Sequence, residues 1–145
     1  GAAVPANAQY MAVNVGGNST GIVGDPCQTV ARSRAVISIT PATTTAIITG
    51  AASKKTYICH LFLTSAAADN VAIVEDATGT TCATPEAALI GGVTAANGMN
   101  FAANGGVSLG NGGYAVAQTV TNQNDVCLIT SAATPLAGVV PYVQL

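Results

Sequence analysis

Gly106-Val107-Ser108-Leu109-Gly110 has the G-x-S-x-G spacing that can present a serine nucleophile on a sharp turn. A hydrolase of that kind needs an acid and then a histidine later in the chain. The one histidine, His60, lies upstream of Ser108. With 16 glycines in the chain such a match arises readily by chance, and the segment reads as a Gly-rich turn. His60 reads as a packed strand residue. A metal site there would need His, Cys or carboxylate partners on nearby strands, and Cys59 points to the opposite face of an extended strand. A single histidine also removes most general-base schemes.

Asp69, Asn70, Glu75 and Asp76 supply oxygens of the kind calcium takes. They show no EF-hand loop or other spaced ligand pattern, and read as solvated turn residues. Nothing in the acid spacing supports a glycosidase pair. Asn18-Ser19-Thr20 is a formal glycosylation sequon, relevant only on a eukaryotic secretory route. The expectation is therefore no catalytic residue, no cofactor and no metal.

The remaining reactive side chains are Cys27, Cys59, Cys82 and Cys127. They form no C-x-x-C, so a zinc ribbon is disfavoured. No Lys, Arg or His lies near Cys82 in sequence to lower its thiol pKa, so it is read as a staple rather than a nucleophile. Four cysteines allow three connectivities. Cys59 and Cys127 fall inside strand-like runs, whereas Cys27 and Cys82 border loops, so a strand-to-loop pairing is natural. Cys27–Cys59 with Cys82–Cys127 is the favoured set: the first would pin the N-terminal segment, the second the loop around Cys82. Four buried thiols in a reducing compartment are the alternative, and an intermolecular bond a further one.

The elements that would position these residues are short. Branched or aromatic runs predict strands at Tyr10–Val15, Ala35–Ile39, Thr44–Thr49, Thr56–Thr64, Asn70–Glu75, Met99–Ala102, Tyr114–Thr119, Asp125–Ser131 and Gly138–Gln144. Gly/Asn/Asp/Ser clusters separate them, the residues that supply positive φ and side-chain caps. Strands at this spacing point to an all-β sandwich or barrel. The one helical signal is Thr84-Pro85-Glu86, a cap, a Pro at the first position and an acid at the positive dipole end, giving a single turn. In "TYICHLFLT" strict alternation sends Tyr57, Cys59, Leu61 and Leu63 one way and Ile58, His60 and Phe62 the other. Both faces are apolar, as in "DVCLITS" and "GVVPYVQL", which implies a covering arm or a subunit interface. Residues 1–34, rich in Gly and Pro, read as an N-terminal arm, and 35–145 as the sandwich.

Bulk composition narrows the classes. A chain of 145 residues fits one domain. Charged residues are 7% and half of the chain is apolar, which excludes a charge-rich disordered tail. No run approaches the ~18 apolar residues of a spanning helix, and Gly1–Val15 lacks the basic start of a signal peptide. A net charge of -2, with Arg32, Arg34, Lys54 and Lys55 as the sole cations, argues against nucleic acid. So little charge gives weak protection against association and favours a protein packed against neighbours.

Several segments together resemble a known group. Tyr57-Ile58-Cys59, the turn Gly79-Thr80-Thr81-Cys82-Ala83-Thr84, the pair Cys127-Leu128 and the ending Tyr142-Val143-Gln144 resemble small β-sandwich structural proteins of tailed bacteriophages. The likeness runs roughly from Cys27 to Leu145. It implies a jelly-roll-like, non-enzymatic virion protein: a capsid decoration (cement) protein or head-fibre base, trimeric, on the capsid exterior, with the major capsid protein as partner. Two other classes stand beside it. One is a carbohydrate- or receptor-binding sandwich, for which Tyr10, Tyr57, Phe62, Phe101, Tyr114 and Tyr142 are the only ring platforms. The other is a subunit of a tail or surface assembly.

Overall fold

The computed structural model describes residues 24–40 and 44–145, together with the short strands Asn14–Val15 (β1) and Asn18–Ser19 (β2), which pair with each other. Most of the arm expected over 1–34, and of the strand expected at Tyr10–Val15, lies outside the described residues.

The fold is an all-β sandwich of two antiparallel sheets. Its strands are β3 (Ser33–Ile39), β4 (Thr44–Ile48), β5 (Thr56–Ile58), β6 (Leu61–Ser65), β7 (Asp69–Asp76), β8 (Ala87–Ile90), β9 (Met99–Phe101), β10 (Gly106–Leu109), β11 (Ala117–Gln118), β12 (Asp125–Thr130) and β13 (Leu136–Gln144). In the first sheet β13 lies between β3 and the β5–β6 run, which β11 and β10 flank. In the second, β12 lies between β4 and β7, and β8 and β9 run along the far side of β7. Ile37, Ile58, Leu61, Leu63, Val71, Ile73, Val126, Leu128, Leu136 and Val140 fill the space between the sheets.

Strict alternation fails in the middle of "TYICHLFLT". Tyr142 pairs with Ile58 and Val139 with Phe62, so two residues of β13, Val140 and Pro141, oppose three, Cys59 to Leu61. This is a β-bulge, and it resets the side-chain phase. Ile58 therefore joins Leu61 and Leu63 in the inner core, while Cys59 turns outward.

Two local expectations are corrected. Ala87–Ile90 is a strand, not a helical turn: the Glu86 N–H donates to the Glu75 carbonyl and the segment continues the ladder beside β7. A helix this short is marginal, and ladder bonds outweigh its propensity. The same capping signature does make a helix at α1 (Pro26–Thr29), where the Asp25 side chain accepts from the Cys27 N–H and Pro26 opens the turn. Gly106–Leu109 is likewise strand β10, held against β6, rather than a Gly-rich turn.

Candidate functional site

Both disulfides are present in the favoured connectivity, Cys27–Cys59 and Cys82–Cys127. Each holds a cover over the outside of a sheet. On the second sheet Ala72 and Val74 of β7 and Cys127 and Ile129 of β12 face away from the core, yet all are buried. The loop after β7 folds back over them and contributes Cys82 to the same cluster. On the first sheet α1 lies over Cys59 and Val143, with Val30, Tyr57 and Ala115 around it. The two-sided apolar strands are thus answered largely within one chain.

Carboxylates anchor these covers, and this overturns the reading of Asp69, Glu75 and Asp76 as solvated turn residues. All three are buried in β7. Asp76 accepts from Ala77 N–H, the Thr80 hydroxyl and Thr84 N–H, which shapes the Cys82 loop. Asp125, opposite Asp76 in register, accepts from Gly50 N–H, the Thr78 hydroxyl and Gly79 N–H. Glu75 accepts from Val120 and Thr121 N–H and from Asn124. Asp25 receives Ala115 N–H from the far side of α1. Among the described residues no group of three or more His, Cys, Asp or Glu side chains is arranged to hold a metal ion.

Ser108 and His60, distant in sequence, do meet. Their Oγ and Nε2 atoms are 3.4 Å apart, and His60 Nδ1 is 2.8 Å from the Gly110 carbonyl oxygen. A carbonyl only accepts, so Nδ1 carries a proton, and in the neutral ring Nε2 is then the acceptor for the serine hydroxyl. That is two members of a nucleophile relay. Acyl transfer needs in addition preorganised donors for an oxyanion and a site that excludes water. Ser108 is exposed on β10 at a sheet edge. The contact ties β10 to the bulged segment. Ser108→Ala is expected to change the unfolding free energy by less than about 0.5 kcal/mol in urea titrations, as for other exposed sites.

One outer apolar surface has no cover among the described residues. Register places Val139 beside Val36 on one side and Phe62 on the other. Val36 is 67% exposed and Phe62 44%. The next cross-strand row, Ser38, Ala137 and Thr64, lines a groove of about 440 Å³ with Ser65, Pro135 and Asn104. A second groove, about 280 Å³, lies beside Cys82 between Pro85, Val93 and Ile129. The two-sided apolar pattern of the segments that carry Phe62 and Val139 already pointed to an outer contact face, but the part played by Val36, and the joining of the three into one row, come only from register. Of the other rings, Tyr114 is 62% exposed, Tyr57 and Tyr142 are half-buried, Phe101 is buried, and Tyr10 lies outside the described residues.

Comparison with protein-family models, with curated proteins and with solved structures finds no match to this chain.

Proposed function

We propose that this chain is a non-enzymatic virion structural protein, a capsid decoration (cement) protein that binds the major capsid protein on the outer surface of a tailed-phage head. The observation that carries the reading is the open Val36–Val139–Phe62 row. The other outward apolar clusters of the sandwich are closed by the chain's own disulfide-pinned covers, so the row is an exception with the character of a contact surface. Strand order supports the jelly-roll part of the reading. With β5/β6, β8/β9 and β10/β11 each counted as one interrupted strand, eight strands run from β3 to β13. The first then pairs with the eighth, the eighth with the third and the third with the sixth; in the other sheet the order is second, seventh, fourth, fifth. That order is in keeping with jelly-roll connectivity, used by viral capsid and lectin domains. The resemblance of the cysteine-bearing segments to phage structural proteins points the same way.

The test is co-sedimentation with purified capsids bearing the cognate major capsid protein. Saturable binding is expected. Phe62→Lys is expected to weaken it about 10- to 100-fold, the loss of one buried aromatic contact. Absence of binding by the unaltered protein would remove the decoration reading. The carbohydrate-binding reading has one observation in its favour, the exposed ring of Tyr114 beside the exposed Val116. Glycan-array binding lost on Tyr114→Ala would favour it instead.

A further inference from the structure

The four edges of the two sandwich sheets differ in how well they are protected. Strand β4 pairs with β12 through a register shift, β8 pairs with β7 through another, and a 3-10 turn at Ala95–Asn97 separates β8 from β9. β10 and β11 are four and two residues long and are separated by a loop. Strand β3 is seven residues long and runs in one unbroken register with β13. It has no proline and no bulge, and among the described residues no strand pairs with its other side. Edges are normally blunted by short length, bulges, proline or charge, and β3 has only Arg34.

Its hydrogen-bonding phase is fixed from across the sheet. Ala66 N–H donates to the Pro135 carbonyl. Antiparallel ladders alternate, so the odd-numbered residues of β13 bond toward β6 and the even-numbered ones toward β3. Ala35, Ile37 and Ile39, the partners of Val140, Gly138 and Leu136, therefore bond inward. The backbone N–H and C=O groups of Arg34, Val36 and Ser38 face the open edge.

We propose that this edge is a self-association site: β3 of one copy pairs antiparallel with β3 of a second copy about a two-fold axis at Val36. The sequence is self-complementary there. Centring on Val36 uses the strand's full length and brings all three outward residues into hydrogen-bonded pairs, Val36 with Val36 of the second copy and Arg34 with its Ser38. Arg34 never meets Arg34, so no like charges oppose. Registers displaced along the strand leave outward groups unpaired, and one centred on Arg34 stacks the two guanidinium groups. The contact is isologous and closes at two copies, unlike the trimer that the phage resemblance implies. The joined sheet carries Phe62, Val139 and Val36 of both copies as one continuous row on one side, which enlarges the proposed capsid-facing surface and in that respect rests on the decoration reading.

Native mass spectrometry and sedimentation velocity of the full-length oxidised protein, without capsids, test the contact. A dimer is expected. Val36→Pro removes the N–H at the centre of the open edge, a position where an edge strand tolerates proline, and is expected to raise the dimer dissociation constant at least about tenfold. Val36→Lys sets two like charges opposite each other and serves if the proline variant does not fold. Phe62→Lys is expected to remain dimeric. A wild-type monomer or trimer would overturn the proposal. So would a dimer that survives both Val36 variants, or one that dissociates on Phe62→Lys alone. Because capsids are absent, failure to decorate a capsid and failure to dimerise are read separately.

Discussion

Replacing Cys82 and Cys127 together by alanine is expected to lower the unfolding free energy by about 4 kcal/mol. The bond joins residues 45 apart, and the chain-entropy estimate for a loop of that length is about 4 kcal/mol. The Cys27–Cys59 bond closes 32 residues, for which the same estimate falls by only a few tenths. The two double variants should therefore lose similar stability. Their folded states should nevertheless differ. Cys82 has φ +58°, a left-handed conformation that non-glycine residues keep only where their surroundings hold them. Without the bond, the loop keeps its contacts to Asp76 and Asp125 but loses its anchor on β12. Ala72, Val74 and Ile129 should then be exposed intermittently, detected as binding of an apolar dye under native conditions. Loss of Cys27–Cys59 should instead loosen α1, detected as proteolytic cleavage near Gln28. A Cys82→Ala/Cys127→Ala protein within about 1 kcal/mol of the parent by urea unfolding would show that the loop is held by its carboxylate contacts and not by the disulfide.

The sandwich and its staples were legible in the sequence because both rest on local signals. Turn clusters punctuate the strands, and the two loop-side cysteines are distinguishable from the two strand-side ones. What was not legible depends on partners remote in sequence. The bulge at Cys59–Leu61 exists because of how β13 pairs with both halves of the run, and no pattern within "TYICHLFLT" reports it. Ala87–Ile90 has helix-compatible residues, but its backbone bonds are to β7. Glu75 resembles a turn residue by type, but its backbone partners are loop N–H groups some 45 positions away. The Val36–Val139–Phe62 row was legible only in part: the two-sided apolar runs pointed to an outer contact face, but only register brings Val36 into line with Val139 and Phe62.

Glu75 provides the sharpest test of that lesson. Its side chain is 1% exposed at one end of the inner face of β7, where Val71 and Ile73 share its side. Oε2 accepts from Val120 N–H at 2.6 Å, and Oε1 accepts from Thr121 N–H and from Asn124 Nδ2. The carboxylate thus organises the loop from Val120 to Asn124 that closes this end of the sandwich. Glu75→Ala leaves the Val120 and Thr121 N–H groups without an acceptor, each costing about 1–3 kcal/mol if kept from water, while Asn124 Nδ2 keeps its bond to Glu86 Oε2. Water entering beneath the loop recovers part, so a loss of about 3 kcal/mol is expected, with faster amide exchange at Val120 and Thr121. Glu75→Gln keeps the shape but turns one acceptor into a donor facing an N–H, and should lose about 1–2 kcal/mol. Asp69 supplies the contrast. Its Oδ1 accepts from Ser131 N–H, the Ser131 hydroxyl and Ala132 N–H, whereas Oδ2 is buried without a hydrogen-bond partner. Asp69→Asn can keep an oxygen at Oδ1 and place the amide nitrogen where no donor is opposed, so less than about 1 kcal/mol should be lost. If urea unfolding finds Asp69→Asn as damaging as Glu75→Gln, then stability here follows buried charge rather than the count of satisfied donors.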